Sequence, residues 1–205
     1  MQLIDQSVRH LLAAFRSPDP TPGGGSAAAL AGAIGASLLA MVAGLPKSRA
    51  ATAEDAARLG AAGERCATLS AELETLVDRD SAAYDLVMAA YKSAKRSDEE
   101  KAARSAAIQA AMREAIAAPL AAMRACAEAA EQGVVIARMG NSSASSDVKV
   151  GFELLGAALR GARLNVETNL DSIKDAEYAA NIRADVEEFA RAIGHETASV
   201  LQSPN

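Results

Sequence analysis

The sequence predicts an all-α protein, a bundle of about six to eight helices in a single domain. Alanine, the strongest helix former, is abundant, whereas aromatic residues make up only 3% of the chain and tryptophan is absent. The 205 residues suffice for one domain with a hydrophobic core, and no internal repeat or second boundary divides residues 1–205. A hydrophobic fraction of 50% and a charged fraction of 23% exclude a disordered or fibrous chain.

The first part of the chain predicts two helices joined by a non-helical connection. Residues 3–15 carry apolar side chains on one face, which predicts an amphipathic helix. Residues 17–25 are rich in proline and glycine and cannot be helical. A helix of small residues follows, with Ser26 as its predicted N-cap and Pro46 just after its end. Its small side chains recur every four residues and should let a neighbouring helix approach closely: Ala28, Gly32, Ala36, Ala40 and Gly44.

The rest of the chain predicts four more helical stretches. Residues 52–92 form an uninterrupted helical pattern, and Ser97 with Glu100 has the capping-box spacing for the next helix. That helix should end near Gln132 and be kinked or divided at Pro119. The last two helices are predicted at residues 147–170 and 175–201, capped by Asp147 and Asp175.

The net charge limits the possible binding partners, and the cysteines indicate the cellular compartment. A net charge of −5 disfavours a general nucleic-acid binder, which needs a basic surface. Cys66 and Cys126 lie far apart in apolar helices and indicate buried thiols in a reducing compartment. Residues 27–45 are long enough to span a membrane, but their Ala/Gly-rich composition favours a buried central helix. The N-terminus has no secretory pattern, so we expect a cytoplasmic protein that does not enter a membrane.

Polar residues on otherwise apolar helix faces are the candidate functional residues. Asp80 and Tyr84 share one helical face, which places an acid towards a cleft or, alternatively, on a solvated turn. Asp147 closes a loop of small polar residues, where it is either an N-cap or a site residue. Asn165 and Asn169, four residues apart, either bridge to a neighbouring helix or read a heterocycle with their amide groups.

Other chemistries fit the sequence less well. The triplet Gly23, Gly24 and Gly25 before a helix could bring backbone N–H groups close to a ligand, phosphate among them. However, no lysine of a phosphate-binding P-loop follows. No zinc-ligand spacing occurs, and His10 and His195 are expected to be exposed or structural.

Five short motifs, in order over residues 15–175, carry a resemblance to a known family. They are Pro20-Thr21-Pro22-Gly23-Gly24-Gly25-Ser26 with Gly32 and Met41-Val42; Asp80-Ser81-Ala82-Ala83-Tyr84; Glu99-Glu100-Lys101 with Arg104 and Pro119-Leu120; Gly140-Asn141 with Ser146-Asp147; and Asn165-Val166 with Asn169-Leu170. In these motifs the chain resembles the cyclodeaminase/cyclohydrolase family of one-carbon metabolism. That family holds the cyclodeaminase part of formiminotransferase-cyclodeaminase and free-standing methenyltetrahydrofolate cyclohydrolases.

The resemblance implies an all-α homodimer with a folate site in a cleft lined by the glycine loop, the acidic turn and the asparagine helix. Both family reactions pass through a tetrahedral carbon between N5 and N10 of tetrahydrofolate. Neither needs a metal or a cofactor, the tetrahydrofolate derivative being the substrate. A carboxylate is needed to stabilise the cation and move protons.

The residues of the matched motifs are therefore assigned as follows. Asp80 or Asp147 is the base or electrostatic partner, the choice between them being open. Substrate is expected to be bound by Gly23, Gly24, Gly25, Ser26, Tyr84, Asn141, Asn165 and Asn169, with Lys95 and Arg104 among the cations available for its tail carboxylates (Lys47 and Lys149 are the others).

Three functions stay open at this point. The first is a methenyltetrahydrofolate cyclohydrolase, which the lack of a fused transferase domain favours. The second is a formimidoyltetrahydrofolate cyclodeaminase that releases ammonia. The third is a helical folate-binding or assembly protein without catalytic activity.

Overall fold

The computed structural model describes residues 2–202, which form a bundle of six α-helices and contain no β-strand. The helices are α1 Val8–Phe15, α2 Gly24–Ala43, α3 Ala53–Lys92, α4 Asp98–Met139, α5 Ser145–Leu170 and α6 Ala176–Leu201, with a 3-10 turn, Ser142–Ala144, between α4 and α5. The prediction of an all-α bundle of about six to eight helices is confirmed.

Helix α2 lies at the centre of the bundle, in contact with α3, α4 and α5. Its small residues permit this, since a Cβ added at Gly32 would stand 2.8 Å from Cys126 Sγ. One added at Gly35 would stand 2.8 Å from the Gly151 carbonyl oxygen on α5. Helices α2 and α5 run antiparallel, because Gly24 lies beside Asn165 whereas Gly35 lies beside Gly151. The predicted close approach of a helix to the small-residue face is confirmed.

The core around α2 is built mostly from aliphatic side chains. Its largest fully buried members include Phe152, Leu39, Leu73, Ile116 and Met123. Cys66 and Cys126 are buried and free of disulfides, as predicted, and burial raises the pKa of each thiol to about 12. These thiols are therefore protonated and unreactive at neutral pH.

Two predicted helix caps are present, at Ser97 and Asp175, and Thr52 forms a third that was not predicted. Thr52 Oγ1 accepts the Asp55 amide at 3.0 Å at the start of α3. Ser97 and Glu100 form the reciprocal capping box at the start of α4. Asp175 Oδ1 accepts the Tyr178 amide at 3.0 Å at the start of α6.

Two predicted helix starts are wrong near the N-terminus. Helix α1 begins at Val8, because the amides of Leu3 and Ile4 donate to the Asp78 carboxylate on α3 at 2.5 and 3.3 Å and hold this segment against the core. Helix α2 begins at Gly24 with Gly23 as its N-cap, so Ser26 lies inside the first turn and does not cap the helix.

Two further predictions fail in the second half of the chain. Helix α4 runs through Pro119, so the alternative that this proline divides it is wrong, whereas the kink stays a prediction. The helix also continues past Gln132 to Met139, because tertiary packing buries much of its second half. Helix α5 begins at Ser145, so Asp147 is a first-turn residue and not the cap. A carboxylate in the first turn still complements the positive end of the helix dipole.

One helix of residues 2–202, α2, has the length and hydropathy that a membrane span requires. Half of this stretch is buried inside the bundle, as expected for a central core helix.

Candidate active site

The site is centred on Asp80, a half-buried carboxylate on α3 that faces the start of α2. The Ser26 amide donates to Asp80 Oδ2 at 2.8 Å. The Ser26 hydroxyl lies 3.0 Å from the same oxygen and 2.8 Å from the Val77 carbonyl oxygen, so one proton serves two acceptors. Ser26 is fully buried. Its bonds orient the Asp80 carboxylate. The direct contact with substrate that the sequence predicted for Ser26 stays a prediction.

Glycine is required at position 25 because the carboxylate occupies the space of a side chain. A Cβ added at Gly25 would stand 2.0 Å from Asp80 Oδ1 and 2.7 Å from Oδ2. The carboxylate thus rests directly on the first turn of α2, where unpaired backbone N–H groups carry partial positive charge.

Two opposing effects act on the charge of Asp80. Burial raises the pKa of this carboxyl, and the hydrogen bonds from Ser26 lower it in part. The net effect is an upward shift from the ordinary aspartate value. A carboxylate with a raised pKa is a better proton acceptor than an exposed one.

Asn165 lies on the other side of the same glycine turn. Its Nδ2 would be 3.5 Å from a Cβ at Gly24, the residue before Gly25. That amide donates to the Gly161 carbonyl at 2.9 Å, one helical turn earlier. Asp80 and Asn165 therefore flank two consecutive glycines, and the structure brings together the glycine loop, the acidic turn and the asparagine helix.

Tyr84 and Asn169 extend this site on either side. Tyr84 is half-buried and lies one helical turn after Asp80 on α3. Asn169 lies one turn after Asn165, and its Nδ2 donates to the Ala115 carbonyl of α4 at 2.9 Å. This bond is the bridge to a neighbouring helix that the sequence allowed as one interpretation of Asn169. No described donor bonds to the Asn169 Oδ1.

Asp147 and Asn141 lie at the opposite end of α2 within the same chain. Residues 147 and 165 are separated by 18 positions of α5, a rise of about 27 Å. Asn141 Nδ2 donates to the Pro46 carbonyl at 2.8 Å, and its Oδ1 accepts the Ser143 amide at 2.8 Å. A single chain therefore does not bring Asp147 or Asn141 to Asp80.

The two predicted cations are also remote from Asp80. Arg104 donates to the Tyr91 carbonyl at 2.9 and 3.2 Å and lies over the Tyr91 ring at 5.5 Å. It therefore holds the end of α3, about 16 Å of helix away from Asp80. Lys95 is exposed in the connection between α3 and α4.

Sequence reasoning missed one member of the site. The Ser81 hydroxyl lies 3.1 Å from Ser26 Oγ and completes the polar group around Asp80. Either hydroxyl can be the donor in this bond. Its position directly after Asp80 in the matched motif was the available signal. Within residues 2–202 no three His, Cys, Asp or Glu side chains group as a metal site.

Known proteins match this chain over nearly its full length. The formiminotransferase-cyclodeaminase family profile matches residues 7–188. A methenyltetrahydrofolate cyclohydrolase of Methylorubrum extorquens is 38% identical over 85% of this chain and 84% of its own. A formimidoyltransferase-cyclodeaminase of Sus scrofa is 30% identical over 97% of this chain, which spans only 37% of that longer protein.

A solved structure shares the fold. The crystal structure of formiminotetrahydrofolate cyclodeaminase from Thermotoga maritima superposes with a TM-score of 0.85 at 26% identity, covering 96% of this chain and 94% of its own. Together, the family match and these relatives establish that the chain belongs to the formiminotransferase-cyclodeaminase family.

Proposed function

We propose that this protein is a methenyltetrahydrofolate cyclohydrolase, which converts 5,10-methenyltetrahydrofolate and water to 10-formyltetrahydrofolate and a proton. The observation that carries the proposal is the Asp80 carboxylate, half-buried against Gly25 and beside Asn165. The substrate is a cationic amidinium, and a desolvated carboxylate attracts such a cation more strongly than an exposed one does. The 38% identity to a cyclohydrolase of similar length supports the same reaction.

In this proposal Asp80 is the general base. It accepts a proton as the water oxygen bonds to the methenyl carbon, which gives a tetrahedral carbon between N5 and N10. The proton then passes to N5 as the carbon–N5 bond breaks, and the hydroxyl proton leaves as the formyl group forms. Asn165 orients the pterin or the attacking water, and the start of α2 supplies backbone donors.

A cyclodeaminase is the second candidate, because the solved structure with a TM-score of 0.85 carries that name. There, N10 attacks the formimino carbon and ammonia leaves. A two-substrate assay separates the candidates. Loss of methenyltetrahydrofolate absorbance with no ammonia from formiminotetrahydrofolate supports the cyclohydrolase, and the reverse result refutes it. Thermal stabilisation by folate without turnover of either substrate would identify a binding protein.

We also propose that the active protein is a homodimer built on α2. Its outer face carries a line of apolar residues at helical spacing, of which Ile34 is 47% and Met41 44% exposed. The neighbouring helix α5 exposes Val150 and Leu164. Exposed apolar surface of this kind marks an interface, and a second copy offers the same surface in return.

A twofold axis near Ile34 would pair the start of one α2 with the end of the other. Asp80 of one protomer would then lie near Asp147 and Asn141 of its partner, which a single chain keeps apart. The proposed dimer thus reunites the predicted site residues in one composite site. Light scattering tests the dimer: Ile34→Glu should give monomers, whereas Leu86→Glu, at an exposed leucine on α3, should not. A monomeric wild-type protein would refute it.

A further inference from the structure

Pro119 is buried in the middle of α4 and is the only proline that lies inside a helix among residues 2–202. None of the reaction steps above uses it. A proline has no backbone N–H, so it cannot donate to the carbonyl four residues earlier in the helix. That carbonyl belongs to Ala115, which is half-buried. The Ala115 carbonyl therefore needs a donor from outside its own helix.

Asn169 on α5 supplies this donor. Its Nδ2 donates to the Ala115 carbonyl at 2.9 Å and so links α5 to α4. A carbonyl oxygen can only accept a hydrogen bond, so the nitrogen of the Asn169 amide must face it and the oxygen cannot. Leaving such a half-buried carbonyl without a donor would cost free energy. The gap that Pro119 leaves in the helical bonds of α4 thus determines how the Asn169 amide is turned.

The amide held in this way keeps its oxygen available. No described donor bonds to the Asn169 Oδ1. Asn165, one helical turn earlier, has the same arrangement: its Nδ2 donates to the Gly161 carbonyl at 2.9 Å, and no described donor bonds to its Oδ1. Asn165 also lies beside Gly24, at the turn that carries Asp80 on its other side. This face of α5 therefore offers two acceptor oxygens about 6 Å apart.

Two acceptor oxygens on one helix face suit a ligand with N–H donors along a ring. The pterin ring of a tetrahydrofolate carries such donors at N3, at the 2-amino group and at N8. A half-buried acceptor that finds its donor favours this ligand over one that lacks the N–H, because the acceptor would otherwise stay unpaired.

We propose that Pro119 is a positioning residue of the active site. It leaves the Ala115 carbonyl to Asn169, and the Asn169 Oδ1 is thereby held as an acceptor for a ring N–H of the substrate. The inference rests on the proposed function, since it takes a tetrahydrofolate as the substrate. The bonds of the N3 and 2-amino edge do not change in the reaction, so this contact should affect KM more than kcat.

A double-mutant cycle tests the proposal. Pro119→Ala restores a backbone N–H that can donate to the Ala115 carbonyl, so the Asn169 amide is no longer required there. We expect KM for methenyltetrahydrofolate to rise about threefold with little change in kcat. Asn169→Ala removes the acceptor itself and should raise KM roughly tenfold, the effect of one hydrogen bond. In the Asn169→Ala background, Pro119→Ala should have no further effect on KM, because Pro119 acts through Asn169.

Leu120→Ala is the matched control. Leu120 is half-buried against the core in the same turn of α4, and its truncation leaves the Ala115 carbonyl without a helical donor, as in wild type. KM should therefore stay at the wild-type value. Unchanged KM in Pro119→Ala or in Asn169→Ala, an equal rise from Pro119→Ala in both backgrounds, or the same rise in Leu120→Ala would overturn the proposal. Circular dichroism verifies that each variant is folded, which we expect because alanine is the strongest helix former.

Calorimetric titration with tetrahydrofolate repeats the cycle without turnover and separates this inference from the proposed reaction. If wild type binds tetrahydrofolate with the expected coupling but does not convert methenyltetrahydrofolate, the reaction alone is refuted. If turnover is present and the changes in dissociation constant are additive, the role of Pro119 alone is refuted. No binding of tetrahydrofolate would refute both.

Discussion

The two ends of α2 carry opposite charge. At its start a half-buried carboxylate, Asp80, fills the space that Gly25 leaves open, and no described Lys or Arg bonds to it. At its far end Arg49, Arg138 and Lys149 line a cavity without a described acid. The first arrangement favours a cationic group such as an amidinium. Within one chain, α2 keeps this carboxylate apart from the basic residues at its far end.

The largest expected effect comes from the acidic end. Asp80→Asn keeps the shape and an acceptor oxygen but removes the charge, so turnover of methenyltetrahydrofolate should fall by about 10²- to 10⁴-fold. Absorbance of the substrate measures this loss. Asp85→Asn, at an exposed acid on the same helix, is the matched control and should retain turnover. Equal activity in both variants would remove Asp80 from the mechanism.

Gly25→Ala should have the next largest effect, because its Cβ would stand 2.0 Å from Asp80 Oδ1 and must displace the carboxylate. We expect a stability loss of about 1–3 kcal/mol, typical of overpacking, together with a large fall in kcat. Gly24→Ala, whose Cβ would meet Asn165 Nδ2 at an ordinary 3.5 Å, is the control for stability. If urea denaturation gave the same free energy of unfolding for Gly25→Ala and Gly24→Ala, the close contact between Gly25 and Asp80 would be contradicted.

The sequence predicted the caps and the acidic turn because their signals are local. The capping box at Ser97 and the cap at Asp175 depend on side chains three residues from their acceptors or donors. Residues 53–92 form one helix because no proline or strong break interrupts them.

Predictions that depended on distant contacts failed or stayed incomplete. Ser26 has the side chain of a typical N-cap. However, its hydroxyl donates to the Val77 carbonyl and to Asp80 Oδ2, more than 50 positions away in the chain. Leu3 and Ile4 have the pattern of a helix, but Asp78 holds their amides. The separation of Asp147 from Asp80 depends on the antiparallel direction of α2 and α5, which no local pattern encodes.

A smaller effect is expected from Ser26→Ala, which removes one donor to Asp80. The bonds from Ser26 lower the pKa of Asp80, so their partial loss should raise that pKa further. Activity that needs the ionised carboxylate is lost as the pH falls. In the variant, this loss should occur at a higher pH than in wild type. A pH–rate profile with an unmoved acid limb would show that Ser26 does not act on Asp80.

The smallest expected effect is on stability. Burial raises the pKa of Asp80 in the folded state, so the free energy of unfolding falls as the pH rises from the unfolded pKa of this group to its folded pKa. Asp80→Asn should therefore be more stable than wild type at pH 7, and the difference should vanish below the unfolded aspartate pKa of about 3.9. Urea denaturation at both pH values, with Asp85→Asn as control, measures it. A variant less stable at pH 7 would contradict the sign.

Subunit mixing between Asp80→Asn and Asp147→Asn tests most directly whether two protomers share one active site. Each variant alone should be nearly inactive, because every composite site lacks one acid. Unfolded together and refolded at equal amounts, the two should regain roughly a quarter of wild-type turnover, since half of the randomly paired dimers hold one intact site of two. No recovery, or full activity of Asp147→Asn alone, would contradict a site shared between the two ends of α2.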